Sequence, residues 1–125
     1  MLMGLQVANE PAGQRVMPKM DVSDLQENAS RASALLKTMA NEWRLLILCH
    51  LAEGEKSVGE LEQLVDLNQS ALSQHLAVLR RHRLVETRRA AQSIFYSLSS
   101  DEAASVMDTL YNLYCNKPGV ESACR

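Results

Sequence analysis

The chain of 125 residues contains no run of about 18 apolar residues, and its first residues lack the basic and apolar stretches of a secretory signal. Neither membrane insertion nor export is indicated, so the expected location is cytoplasmic. There is no Cys-x-x-Cys pair, which argues against a thiol oxidoreductase. In a cytoplasm the three cysteines, Cys49, Cys115 and Cys124, are expected to be thiols, and a disulfide among them would be a signal rather than a staple. Overall positive charge is also missing: 13 Lys and Arg against 15 Asp and Glu leave −2. Any contact with a polyanion must then come from a local patch. A hydrolase is equally unsupported, because Ser73 and His75 stand too close in sequence, on different helix faces, to work as nucleophile and base.

With 46% hydrophobic and 22% charged residues, the composition suits one domain with a real core and loose ends. Residues 1–22 mix Gly4, Gly13, Pro11 and Pro18 without apolar period and are expected to form a flexible arm. The domain proper is expected over residues 23–116, followed by a tail over 117–125. Ser23 and Gln26 can form a capping box for a first helix, on which Leu25, Ala29, Ala32, Leu36 and Met39 make one buried stripe. Asn41 can cap a second helix that places Leu45, Leu48, Cys49 and Ala52 on a shared face and stops at Gly54. Ser57 and Glu60 form a capping box for a short third helix, and Asp66, Leu67 and Asn68 make a turn. Asn68 caps a fourth helix that runs to about His82.

At about 100° per residue, Leu72, Leu76 and Leu79 of this fourth helix point inward, and Ser70, Gln74, Ala77 and Arg81 point outward with Gln69 and Ser73 beside them. Such a face fits a major groove: glutamine pairs with adenine, serine donates or accepts, and alanine lies against a thymine methyl. Two helices joined by a three-residue turn are followed by a run from Leu84 to Arg89, then Ala90 and Ala91, then alternating residues to Leu98. This reads as a β-hairpin. Arg80, Arg81, Arg83, Arg88 and Arg89 face only Glu86 in the interval 80–89, so the hairpin and the helix end form the local basic patch. The expected fold class is thus mainly α with a small β-hairpin wing, a winged helix-turn-helix, and the expected partner is double-stranded DNA. Arg88, Arg89 and Gln92 near the wing tip would meet backbone or minor groove. Ser99 and Glu102 can cap a last helix with an apolar face of Val106, Leu110, Leu113 and Tyr114. The first and last helices, away from the reading head, are the natural homodimer surface.

Ala40 to Leu48 (ANEWRLLIL), Ser57 to Glu62 (SVGELE) and Gln69 to Arg80 (QSALSQHLAVLR) resemble the ArsR family of bacterial repressors over about residues 24–116. The resemblance implies five helices with a wing between the fourth and fifth, a homodimer held by the first and last helices, and repression relieved by an inducer. It places the recognition helix on Gln69 to Arg81, with Ser70, Ser73 and Gln74 as base readers, and the wing on Arg88 to Ser93. Many relatives sense metals through paired cysteines before the turn or histidines on the last helix. Val58 to Leu64 has no cysteine here, and residues 100–116 have no histidine. No metal site or cofactor is expected, and His75 is assigned packing or phosphate contact rather than ligation.

The placement of Cys49 and Cys115 resembles the dithiol branch of the family that contains BigR, SqrR and HlyU. That likeness implies a redox-sensing pair, joined by a polysulfide link from reactive sulfur species or by a disulfide from oxidants. A direct disulfide needs Cα atoms within about 7 Å, and inserted sulfurs relax that limit. Read from the residues alone, Cys49 remains open to the role of small buried hydrophobe, and Cys115 near a helix C-terminus meets the end of the dipole that disfavours thiolate unless Lys117 offsets it. Cys124 is expected to be a bystander. Two alternatives stay open: a repressor of this type that senses a metal or no inducer, with structural cysteines, and an interaction module that does not bind DNA.

Overall fold

The computed structural model describes residues 21–115. The arm expected at the N-terminus and the tail beyond Cys115, with Lys117 and Cys124, lie outside the described residues. The chain divides into two units, Met1–Arg31 and Ala32–Arg125. Helix α1 (Val22–Met39) begins in the first and ends in the second. It starts one residue before the expected cap, so Ser23 sits inside the first turn, and the Leu25 N–H donates to the Asp21 carbonyl at 2.9 Å.

The stripe expected on α1 is buried only at its end. Leu25 is 46% exposed in the first unit, and in the second Leu36 is 55% exposed while Met39 is buried. Ala29 and Ala32 are exposed as well. Apolar spacing specifies which residues share a helix face, not what covers that face.

In the second unit, α2 (Glu42–Ala52), β1 (Lys56–Ser57), α3 (Val58–Leu64), α4 (Gln69–Arg81), β2 (Val85–Ala90), β3 (Ser93–Leu98) and α5 (Asp101–Tyr114) follow in order. Most helix starts come from local chemistry. Asn41 Oδ1 accepts from the N–H groups of Trp43 and Arg44, both at 3.0 Å. Ser57 and Glu60 form the full reciprocal capping box, and Asn68 Oδ1 accepts from Ala71 N–H at 2.8 Å. The last helix departs from expectation by one residue. Ser100, not Ser99, caps α5 by accepting from Ala103 N–H at 3.0 Å, and the Ser99 hydroxyl instead donates to the Arg83 carbonyl.

The core joins Met39, Ile47, Leu48, Leu51, Leu61, Val65, Leu72, Leu76, Leu79, Leu84, Val85, Ala103 and Met107. The buried stripe of α2 is therefore Ile47, Leu48 and Leu51; Leu45 and Cys49 pack partly against it, and Ala52 is exposed. On α5 the buried residues are Ala103 and Met107, whereas Leu113 is 51% and Tyr114 69% exposed. The amphipathic face read from the sequence is thus turned partly outward.

The sheet is antiparallel in the order β1-β3-β2. The wing has a third strand that periodicity could not show, since Lys56 and Ser57 pair with Tyr96 and Phe95 from a stretch of only two residues. Ala90 pairs with Ser93, so the turn is Ala91 and Gln92 rather than Ala90 and Ala91, with Ala91 in the left-handed region at φ 57°.

Helix α4 ends in a Schellman motif. The Leu84 N–H donates to the Leu79 carbonyl at 2.9 Å and the Arg83 N–H to the Arg80 carbonyl at 3.0 Å, with Arg83 left-handed at φ 64°. Leu79 and Leu84, the two residues this motif brings together, are both buried. Glycine usually takes the left-handed position, because a Cβ there costs about 1–2 kcal/mol. Arg83→Gly is therefore expected to raise stability by about 0.5–1 kcal/mol after the extra freedom of an unfolded glycine is subtracted. Urea unfolding checks this through a higher midpoint at an unchanged slope.

Candidate nucleic-acid interface

On α4 the three leucines are sealed: Leu72 and Leu79 are 0% and Leu76 2% exposed. Gln69, Ser70, Ser73, Gln74, Ala77, Arg80 and Arg81 are all exposed. The candidate base readers therefore share one outward face, and Arg80 and Arg81 fall in the last turn, where cations suit the helix dipole. His75 sits at the flank, half-buried. Burial, and next the charge of Arg44, hold its imidazole below the usual histidine range, so it is neutral near pH 7. Arg44 also ties down the end of α1. Its Nε donates to the Thr38 carbonyl at 2.6 Å, and a terminal nitrogen donates to the Lys37 carbonyl at 3.4 Å. Periodicity gave no sign of this contact, because it joins groups on two different helices.

The wing carries Arg88, Arg89 and Gln92, all exposed. Arg88 is not a loose phosphate ligand. Its Nε and a terminal nitrogen donate to the two carboxylate oxygens of Glu55, each at 2.7 Å, and its guanidinium lies 4.7 Å from the centre of the Phe95 ring. Phe95 is its cross-strand neighbour. The hydrogen bond from Arg88 is the main reason that the Glu55 carboxyl lies below the usual range. The arrangement staples the wing to the loop after α2, across 33 residues of sequence. Arg89 and Gln92 have no such tie among the described contacts.

The two cysteines of interest lie beside one pocket of about 530 Å³ between α2 and α5, which Cys49 and Cys115 both line. Cys49 is a free, half-buried thiol. Burial, and secondarily the charge of Glu53 one turn along, push its pKa up. Cys115 is buried at the C-cap of α5, where its N–H donates to the Tyr111 carbonyl at 2.8 Å. It is disulfide-bonded, and since Cys49 is free, the two are not joined to each other. Among the described residues, no group of three or more His, Cys, Asp and Glu is placed to hold a metal ion. Among them, too, no helix is long and apolar enough to cross a membrane.

A helix-turn-helix with a basic wing narrows the identity to a class of regulators, and comparison with known proteins decides within it. The profile of the bacterial regulatory proteins of the arsR family matches residues 41–87, from the cap of α2 into the wing. The transcriptional activator HlyU of Vibrio cholerae is 53% identical over 96 residues, which cover 77% of this chain and 89% of that protein. The chain belongs to the ArsR family. It is a DNA-binding transcriptional regulator built on a winged helix-turn-helix. A further relative, the biofilm growth-associated repressor of Xylella fastidiosa, is 44% identical over 81% of this chain and 89% of its own. The solved structure of reduced HlyU from Vibrio cholerae superimposes with a TM-score of 0.72, covering 75% of this chain and 99% of that one. A homodimeric winged helix-turn-helix DNA-binding domain from Mycobacterium bovis, a possible ArsR-family regulator, superimposes at 0.64 with 25% identity, over 78% of this chain and 89% of that one.

Two measurements follow for this ArsR chain. Glu55→Gln removes one charge and frees Arg88, so affinity for non-specific duplex DNA should rise a few-fold and its salt slope should steepen by about one per protomer. An unchanged slope would mean that Arg88 stays with Phe95. The raised pKa of Cys49 keeps thiolate scarce at pH 7, and thiolate alone reacts with alkylating agents. Its iodoacetamide rate should therefore climb by about tenfold per pH unit from pH 7 to 9 with no plateau, as mass spectrometry of the Cys49 peptide can record.

Proposed function

We propose that this regulator represses transcription by occupying promoter DNA as a homodimer, and that it lets go when Cys49 and Cys115 become joined through one or more sulfur atoms. The observation that carries the DNA reading is the single exposed face of Gln69, Ser70, Ser73 and Gln74 above a leucine stripe sealed in the core. Its likeness to the repressor of Xylella fastidiosa supports repression. Likeness to a homodimeric domain supports pairing, and so do the exposed apolar residues Leu36 on α1 and Leu113 on α5, which a partner would cover. Gln69, Ser70, Ser73 and Gln74 would read bases, whereas Arg80, Arg81, Arg89 and Gln92 would hold phosphates or the minor groove, with His75 as a neutral hydrogen-bonding group and Arg88 recruited when it leaves Glu55.

For the sensing step, the support is the pocket that Cys49 and Cys115 both line. From the fully reduced protein, an organic trisulfide can insert its central sulfur: two thiols and RSSSR give a Cys49–S–S–S–Cys115 link and two RSH. An organic hydroperoxide reaches the direct disulfide instead, releasing one alcohol and one water. Either bridge ties α2 to the C-terminal end of α5 and changes how α5 can seat against a partner chain. The weak acidity of Cys49 favours reagents that can wait for a scarce thiolate.

The test is a promoter-DNA titration with the reduced full chain, before and after dipropyl trisulfide. A dimer neutralising about six phosphates should show a log-log salt slope of about −5. Trisulfide should weaken operator binding by at least about tenfold while adding one sulfur mass between the Cys49 and Cys115 peptides. Cys49→Ser and Cys115→Ser should bind DNA normally and ignore the reagent. Release of the double variant by trisulfide would refute the dithiol, and flat salt dependence would refute the DNA reading.

A further inference from the structure

We infer that the pocket between α2 and α5 binds a hydrophobic small molecule that is cationic or uncharged, and turns anions away. Its volume of about 530 Å³ lies within the range of about 300–1,000 Å³ typical of small-molecule sites. The walls are apolar, with Leu45 on α2, Leu98 at the end of β3, and Met107 and Tyr111 on α5. Charge enters from two carboxylates alone, Glu53 and Asp108, and no lysine, arginine or histidine is among the described residues that line the pocket. Two carboxylates over an apolar floor favour a cation, tolerate a neutral body and oppose an anion, and the low dielectric of such walls sharpens the difference. The field of Glu53 does reach inside, because it raises the pKa of Cys49 in the pocket wall.

Ala104, Met107, Asp108 and Tyr111 recur at helical spacing, which gives α5 a continuous wall toward this space. Leu113, exposed and about 180° around the helix from Ala104, is left for the dimer contact. The inference does not depend on the sulfur chemistry. A protein that ignores trisulfide but binds the ligands below would keep this site and lose the dithiol reading.

Three probes share one aromatic body and differ in charge: 1-naphthylmethylammonium, 1-naphthylmethanol and 1-naphthylacetate. Calorimetric titration of the full chain should rank them cation, alcohol, anion, with at least about tenfold between first and last. Bound cation should slow iodoacetamide alkylation of Cys49 in proportion to occupancy. The double variant Glu53→Gln with Asp108→Asn should bring the cation-to-anion ratio near one and leave the alcohol unchanged. Ala104→Trp, at an exposed position on the pocket wall, should abolish all three while the circular dichroism is kept. Equal binding of the anion, absence of binding by the cation, or binding that leaves Cys49 unprotected would each overturn the site. Should Ala104→Trp fail to fold, the carboxylate double variant still decides.

Discussion

Leu72, Leu76 and Leu79 lie in the same core as Ile47, Leu48 and Leu61, and a helix advances by about 100° per residue. Turning α4 about its axis to present another face would bring these leucines into water, at about 1.5–3 kcal/mol for each side chain. No hydrogen bond from a serine or glutamine could offset that. The face of Gln69, Ser70, Ser73 and Gln74 is therefore held in one orientation by the core, and in the proposed complex recognition would not include the cost of orienting the helix.

The ends of α4 extend this control to the wing. Asn68 starts the helix by satisfying one of its orphan N–H groups, and the Schellman motif at Arg83 turns the chain while keeping Leu84 in the core. Val85 follows directly, already paired with Leu98. The direction in which the hairpin leaves is thus set by helix-end hydrogen bonds, and Glu55 with Arg88 then holds the hairpin from its other side. The clamp lies at the surface, so its worth lies in where it keeps a guanidinium rather than in stability. In the proposed complex, duplex phosphates would compete for the same guanidinium, giving the wing two alternative partners.

Most of this fold was legible because its signals are local. Asn41, Ser57 with Glu60, and Asn68 each act within three residues of themselves, and the leucine period of α4 has a single solution. Ser99 and Ser100 carry the same side chain, so only the backbone could tell which one caps α5. The end of α4 near His82 was legible, but the Schellman motif that makes it was not, because an arginine occupies the left-handed position where glycine is the usual sign. Contacts between distant segments left no trace in a single sequence: β1 against β3, Glu55 against Arg88, Arg44 against the end of α1. The stripe on α1 was read as apolar but expected to be buried along its whole length, whereas Leu25 and Leu36 are exposed, since a pattern of period 3.6 looks the same against a core and against another chain. The outward face of α4 was legible from helix periodicity, whereas the shared pocket of Cys49 and Cys115 required the packing of α2 on α5.

Helix α5 explains why a regulator of this build could be released by a small change. In the proposed dimer each reading head binds weakly alone, and the second head gains from the effective concentration that the first imposes. That gain vanishes once the two heads no longer match half-sites about 34 Å apart. A bridge or a ligand between α2 and α5 therefore need not unfold or block α4. It has only to favour a seat of α5 that pairs poorly with its partner, and a differential of about 2.7 kcal/mol between the two seats is enough for a hundredfold loss of affinity. Leu72, Leu76 and Leu79, which aim α4, can stay in place because they do not line the pocket, although Met107 of the same core does. Reading and release can then be tuned apart in one small domain.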